Sequence, residues 1–275
     1  MGPIWSSPSK TPEPEPERPP GSYNYRPRTE GQQLRILLHG LLGAGKSSFI
    51  NSVSTVLQGN MSRIALVGNS NQDSVTKEYK TYRIQRGNHN GFYPFVLNDI
   101  MGLKNATRRN RKVYVKDVKR AMKGHVRDGY TFNPERNILK GGQFYNRNPT
   151  ANDKVHVLVS VIDASKVEKM KNEIEETLQD IREEANDLGI PQVAILTKID
   201  TVCPEIQKDI KDVYKSRTLK KRFSALVGIP MYCIFPVKNY HEELQLNNDI
   251  DVLVLNALTN IIKVGEEFLN QNNPA

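Results

Sequence analysis

The sequence predicts an α/β protein in three layers: a mostly parallel six-stranded sheet with helices on both faces and one antiparallel hairpin strand at the edge. Three features carry that expectation. Apolar runs of strand length alternate with stretches whose apolar residues recur every three or four positions, the pattern of strands joined by crossover helices. The run Val155-His-Val-Leu-Val-Ser-Val-Ile162 is apolar almost throughout, as a central parallel strand covered on both faces has to be. A glycine-rich turn, Gly40-Leu-Leu-Gly43-Ala-Gly45, separates the first apolar run from the first helical stretch.

That turn continues into Lys46-Ser47-Ser48, so Gly40, Gly45, Lys46 and Ser47 fit G-x-x-x-x-G-K-[ST], the P-loop. Gly40, Gly43 and Gly45 let consecutive N–H groups face one concavity. With the positive end of the helix that starts near Lys46 they form a site for a polyphosphate. Gly40 to Ser48, Ala44 included, is therefore the expected phosphate cradle, with Lys46 reaching the β- and γ-phosphates. The Ser47 hydroxyl is the expected protein ligand of Mg²⁺, which keeps most of its shell as water and phosphate oxygen. The context the motif needs is present: Leu34, Ile36, Leu37 and Leu38 read as a buried strand before it, and Phe49, Val53, Val56 and Leu57 as one helix face after it.

Composition sets outer limits. With 275 residues and 37% hydrophobic content the chain can bury a full core. Residues 1–30 hold eight of the sixteen prolines, centred on Pro12-Glu-Pro-Glu-Pro-Glu17, and are expected to be a disordered tail, leaving 31–275 as the folded domain. No apolar run is long enough to span a bilayer and no secretory leader is apparent; Cys203 and Cys233 alone make neither a disulfide framework nor a metal set. These features predict a cytoplasmic protein without a transmembrane segment. The start Met1-Gly2-Pro3-Ile4-Trp5-Ser6 formally fits N-myristoylation, but Pro3 argues against it.

Beyond the first helix, Arg63-Ile-Ala-Leu-Val67 is apolar but short and precedes the polar loop Gly68 to Asp73. Tyr79 to Gln85 and Phe92 to Asn98, joined by Gly87-Asn-His-Asn-Gly91, read as a hairpin inside the parallel pattern. The second strand runs into Asp99-Ile-Met-Gly102, a D-x-x-G sequence about fifty residues after the P-loop lysine. Asp99 is expected to support Mg²⁺ through water and Gly102 to present its N–H to a γ-phosphate. Twenty-three residues upstream of Asp99 lies Thr76, whose hydroxyl and N–H suit a switch loop that completes the Mg²⁺ shell and senses the γ-phosphate. Thr81 and Ser74 compete for that role.

After the central strand, Asp163 or Ser165 can cap a helix with the stripe Val167, Met170, Ile174, Leu178, Ile181, Ala185 and Leu188, stopped by Gly189 and Pro191. Its other face is acidic and reads as solvated surface. The strand Pro191 to Leu196 ends in Thr197-Lys198-Ile199-Asp200. A carboxylate there accepts hydrogen bonds from guanine's ring N–H and exocyclic amine, and adenine would leave it unpaired. Lys198 is expected to lay its stem along the base and bridge towards the P-loop. Asparagine is the commoner first residue of this tetrapeptide in GTPases, and Thr197 stands in its place. The order P-loop, D-x-x-G, Lys-x-Asp makes the fold P-loop GTPase-like and the ligands GTP or GDP with Mg²⁺. A sixth strand, Met231 to Val237, leads into Val237, Lys238 and Asn239, placed to offer a backbone N–H to the guanine carbonyl. A last helix turns Val254, Leu255, Leu258, Ile261, Ile262 and Phe268 inward.

Leu103 to Lys154 lies outside the minimal pattern: fourteen Lys or Arg against four Asp or Glu, including Arg108-Arg109-Asn-Arg111-Lys112. Val115, Val118, Met122 and Val126 suggest an amphipathic helix with a basic face, and Gly141 to Thr150 a loop. Such a patch suits RNA, an anionic membrane or an acidic partner. Without interleaved aromatics a nucleic acid is not the expected ligand.

Taken together, Arg35 to Asn51, Ala65-Leu-Val-Gly68, Ser74-Val-Thr-Lys77, Asp99 to Leu103, Leu196 to Asp200 and Pro236 to Tyr240 resemble the interferon-induced protein 44 family and its 44-like relatives. The similarity runs from about Leu34 to the C-terminus. It implies a GTP-binding member of the interferon-induced innate antiviral response in the cytoplasm, better described as a binder than as a hydrolase. Hydrolysis has little support in the residues: Leu103 follows D-x-x-G where many small GTPases carry glutamine, and no arginine finger is evident. Two readings follow. One is a slow GTPase switch, with an unknown protein partner or nucleotide-dependent self-association. The other is a nucleotide-stabilised scaffold that docks through the basic segment.

Overall fold

The protein is described by a computed structural model covering residues 26–27, 30–68, 77–86, 91–104, 106–202 and 228–272, with residues 206, 208–210, 213, 221 and 223–225 between the last two segments. Among the described residues ten main elements follow in order: β1 (Leu34–Gly40), α1 (Lys46–Gln58), β2 (Lys80–Gln85), β3 (Phe92–Asp99), α2 (Arg108–Met122), β4 (Val157–Asp163), α3 (Asn172–Asp187), β5 (Gln192–Thr197), β6 (Ile234–Val237) and α4 (Asn248–Asn272).

The strands form one sheet in the order β2-β3-β1-β4-β5-β6. β1 is parallel to β3 and β4, the pairs β4–β5 and β5–β6 are parallel, and β2 is antiparallel to β3. This is the expected α/β architecture with its edge hairpin. From β1 the chain crosses to β3 on one side and then returns over β1 to β4. Right-handed crossovers in opposite directions put α1 and α2 on opposite faces. α1 packs with α4, and α2 packs with α3. The core strands are dark to solvent: every residue of β4 is buried, and in β1 only Arg35 is partly exposed. A Cβ on Gly265 of α4 would lie 2.6 Å from side-chain atoms of Leu34 and Val157. That missing methyl lets α4 lie directly on β1 and β4.

Several expectations need correction. The stripe from Val167 to Leu188 is not one helix. A 3₁₀ turn, Ala164–Lys169, capped by Asp163 accepting from Ser165 N, is followed by an extended Met170–Lys171 and only then by α3. Arg63 to Val67, not counted among the six expected strands, lies outside the sheet: Ala65 is held by reciprocal bonds to Asn51, while Leu66 and Val67 are exposed. β6 begins at Ile234, because Met231–Cys233 coil into a 3₁₀ turn. Phe268 is only partly buried; Leu269 takes the inward position.

The largest correction concerns residues 103–154. They are not an appendage, because α2 within them is the β3-to-β4 crossover. Their basic charge is partly neutralised on the neighbouring helix: Arg111 pairs with Glu176 and with Asp180, and Lys119 with Glu184. The acidic face of α3, read as solvated, is therefore partly the partner of α2. Val126 lies beyond the helix yet is buried. The stretch after α2 turns its aromatics inward, with Tyr114–Phe132 and Tyr130–Phe132 ring centroids 5.6 and 5.2 Å apart. It also hydrogen-bonds the approach to β2 through Tyr79 N to Tyr130 O, Gly129 N to Tyr79 O and Phe132 N to Lys77 O. The sequence pattern could not show this, because each of these bonds joins segments about fifty residues apart.

Candidate functional site

The carboxyl ends of β1, β3, β5 and β6 meet where the chain departs from β1 in both directions along the sheet, the topological switch point at which open α/β sheets bind ligands. The turn out of β1 depends on glycine. Gly40 has φ 140°, and a Cβ there would lie 2.0 Å from Val161 O. Gly43 and Gly45 also have positive φ, and Gly45 is the N-cap of α1, with no side-chain acceptor filling the helix end. Its amides are left for an anion.

Lys46 is buried, and its Nζ lies 3.4 Å from Gly40 O and 3.2 Å from Leu41 O, folded back on its own loop. Burial holds its pKa below the ordinary lysine value, and the Asp99 carboxylate opposes that shift. A buried ammonium resting on two backbone carbonyls is well placed to trade them for phosphate oxygens. Ser47 Oγ donates to Asp99 Oδ2 at 2.5 Å, so the P-loop hydroxyl and the strand-end carboxylate share one point. Gly102 is fitted against the P-loop: a Cβ there would lie 2.6 Å from Leu42 Cα and 3.2 Å from Lys46 Nζ. Leu103 N donates to Gly40 O and Leu42 N to Leu103 O, at 2.9 and 3.0 Å. The Asp99–Gly102 loop is thereby zipped to the phosphate loop, and the Leu103 side chain is buried.

On the other side, Thr197 is buried, with Oγ1 2.7 Å from Ala44 O and 3.1 Å from Ile162 O. Lys198 holds φ 54°, the one non-glycine positive φ among the described residues. Such strain is kept where the surrounding structure imposes it, often at functional sites. Its Nζ sits 2.9 Å from Asp163 Oδ2, not on the P-loop as expected. The reason is Asp163, a buried carboxylate at the end of β4, which also accepts from Ser165 Oγ. Asp200 is half-exposed, with Lys238 Nζ 3.9 Å from Oδ2. Lys238 also meets Glu243 at 3.2 Å. Asn239 Nδ2 donates to Gly45 O at 3.2 Å, and Ser52 Oγ lies 3.4 Å from Asn239 Oδ1. Tyr240 N donates to Ser52 Oγ at 3.0 Å, and the Tyr240 hydroxyl donates to Asp251 Oδ1 at 2.5 Å. The loop after β6 is thus tied to both the P-loop and α4. Val237 is buried beneath it.

Gly40 to Ser48, Asp99, Gly102, Thr197, Lys198, Asp200 and Val237 to Asn239 therefore lie together at the carboxyl ends of the strands, where the crevice of an open α/β sheet is expected. Thr76 and Ser74 lie outside the described residues. Thr81 is out of contention, since its hydroxyl accepts from Asn98 Nδ2 at 2.7 Å within the sheet. Sequence reading took Asp163 only as a helix cap, and it missed Ser52, one polar residue on the buried face of α1. The signal for Asp163 was its place at a strand's carboxyl end; Ser52 had none.

Residues 35–198 match the family described as 50S ribosome-binding GTPase. The chain belongs to this family. The similarity to interferon-induced protein 44 carried by the motifs is borne out as well. That protein of Pan troglodytes is 33% identical over 241 residues, 86% of this chain and 53% of the relative. The human interferon-induced protein 44-like is 31% identical over 250 residues, 90% of this chain and 55% of the relative. The chain spans about half the length of these curated relatives. Among solved structures, Aquifex aeolicus Era bound to GDP·AlF4⁻ is 13% identical with a TM-score of 0.47, covering 86% of this chain and 57% of that one. A GTP-binding protein from Sulfolobus solfataricus in complex with GDP is 19% identical with a TM-score of 0.41, covering 86% and 53%. Membership of this GTPase family supports guanine-nucleotide binding. Among the described residues no helix is long and apolar enough to cross a membrane.

The residues at this site also fit Mg²⁺. A hydroxyl and a carboxylate meeting at one point are hard oxygen donors, and no cluster of three or more His, Cys, Asp or Glu that could hold a metal exists among the described residues. A Mg²⁺ bound by few protein ligands and a nucleotide phosphate matches that donor set.

Proposed function

We propose that this GTPase-family chain is a guanine-nucleotide switch of the interferon-induced innate antiviral response, acting in the cytoplasm and turning GTP over slowly. The observation that carries the nucleotide reading is the convergence of three pairs on one crevice: Ser47 with Asp99, Thr197 with Ala44, and Asn239 with Gly45. The P-loop amides and Lys46 hold the phosphates, and Asp200 chooses guanine by accepting from its ring N–H and amine. Ser47 and Asp99 hold Mg²⁺, with Thr76 completing the set from its loop. When bound, the ion offsets charge on the phosphate oxygens. The loop Asp99–Gly102, zipped to the P-loop through Leu103, is the element that a γ-phosphate displaces, with Gly102 N–H as its sensor.

Slow turnover follows from Leu103, buried and apolar where a water-orienting side chain would serve. The same residue favours a second reading, a nucleotide-stabilised scaffold without useful hydrolysis. In either case a protein partner, or a second copy, has the exposed cations Arg108, Arg109, Lys112 and Lys116 to meet, since Arg111 and Lys119 are engaged by α3. The interferon and antiviral context rests on the similarity to interferon-induced protein 44.

The test is binding of labelled GTP, GDP and ATP to the full chain with Mg²⁺, with phosphate release followed in the same sample. Guanine-selective binding with slow release supports the switch, and selective binding without release supports the scaffold. Lys46→Ala should abolish binding and Asp200→Asn should relax the guanine preference. Full GTP affinity in the Lys46 variant would sink the site assignment.

A further inference from the structure

Thr197 cannot do for a base what asparagine does at the commoner first position of this tetrapeptide. It is fully buried, and its single O–H is already directed at Ala44 O and Ile162 O, so it has no donor left. Beside it, a second side chain meets the P-loop. A Cβ built on Gly45 would lie 3.7 Å from Thr197 Cγ2 and only 2.8 Å from Asn239 Nδ2. Thr197 and the Asn239 carboxamide therefore both meet the P-loop at Ala44 and Gly45, Asn239 reaching in from the loop after β6.

Its orientation is determined by what it meets. Gly45 O can only accept, so the atom facing it at 3.2 Å is the amide nitrogen. The oxygen faces Ser52 Oγ at 3.4 Å, and Ser52 is itself gripped by Tyr240 N at 3.0 Å and donates to Ser48 O at 2.9 Å. One Nδ2 hydrogen is spent on Gly45 O; the second is left on a half-buried side chain at the rim of the crevice that also holds Asp200.

We propose that Asn239 supplies, through its side chain, the hydrogen-bond donor to N7 of the purine ring that Thr197 lacks. The proposal rests on the guanine-nucleotide reading and deepens it. Asp200 reads the N1–H and 2-amino edge and selects guanine; Asn239 reads N7 and anchors the ring on the opposite edge. Ser52 and Tyr240 are positioning residues for that amide.

The experiment compares GDP, 7-deaza-GDP, which lacks the N7 acceptor, and ADP on the full chain with Mg²⁺. Loss of one hydrogen bond of this kind is worth about tenfold in affinity. The wild type should bind 7-deaza-GDP about tenfold more weakly than GDP, and Asn239→Ala should bind the two equally, near the weaker value. In the wild type, the Asn239 side-chain amide resonance should move with GDP and not with 7-deaza-GDP, a readout that needs no folded variant. Equal wild-type affinity for GDP and 7-deaza-GDP, with GDP still preferred over ADP, would overturn the role of Asn239 and leave the guanine reading standing. A tenfold ratio that persists in Asn239→Ala overturns it as well, by placing the donor elsewhere. No preference for GDP over ADP would remove the guanine reading and this proposal with it.

Discussion

Replacing Asp117 by alanine should be among the most damaging single changes outside the crevice. Asp117 sits on α2 with 1% of its surface exposed and gathers four donors. Tyr130 Oη donates at 2.6 Å, Arg120 Nη1 at 2.9 Å, Asn137 Nδ2 at 3.0 Å and Ile138 N at 3.1 Å. This one carboxylate holds the stretch 130–138 against the crossover helix. In Asp117→Ala the Ile138 N–H and the Tyr130 hydroxyl lose their acceptor inside the protein, at about 1–3 kcal/mol each. Arg120 and Asn137 lie nearer solvent and turn to water at small cost. The loss should be about 3–5 kcal/mol, a large part of the roughly 5–15 kcal/mol that holds a domain together. Urea unfolding of wild type, Asp117→Ala and Asp117→Asn at pH 7 measures it; the asparagine keeps one acceptor oxygen and should fall between the others. A loss below about 1 kcal/mol for the alanine variant would refute the reasoning, because it would mean that these donors find water at no cost.

Acidification should destabilise the fold well above the usual carboxylate range. Burial pushes the His39 pKa down to about 3, helped by the Lys46 charge, and burial pushes that of His156 down to about 4. Both imidazoles are neutral in the fold, His156 because its Nδ1 accepts from Arg35 N. The unfolded chain binds these protons near pH 6.5 and the folded chain does not, so stability present at pH 7 falls as pH drops through 6.5 towards 4. At pH 5 the loss is about 2 kcal/mol per histidine. Urea midpoints between pH 7 and 5 would show it, and a flat profile would contradict neutral burial. Gly102→Ala should break the contact between the Asp99 loop and the P-loop. Its Cβ would meet Leu42 backbone at 2.6 Å, and the two bonds that join Leu103 to Gly40 and Leu42 should be lost, about 2 kcal/mol together. GDP affinity should fall at least tenfold, and unchanged affinity together with unchanged stability would show that the loops do not need to touch.

The crevice was legible in the sequence wherever function demands a residue type at a fixed spacing. Gly40, Gly45, Lys46 and Ser47 must be neighbours for their backbone to curl around an anion, so their pattern survives in one dimension. The strand-end residues Asp99 and Asp200 were legible because a parallel sheet brings its carboxyl ends to one edge whatever the intervening lengths. The order of apolar runs determined the sheet for the same reason: a strand buried on both faces has no polar alternative. Tertiary structure alone decided the pairings between distant segments. Lys198 turns to Asp163 because β4 and β5 lie side by side, and Arg111 and Lys119 spend their charge on α3 because both helices cross the same face. Asn239 comes to rest on Gly45, next to Thr197, because β6 lies beside β5. Local sequence specifies backbone curvature and burial, but a side chain's partner depends on which elements the completed sheet makes adjacent.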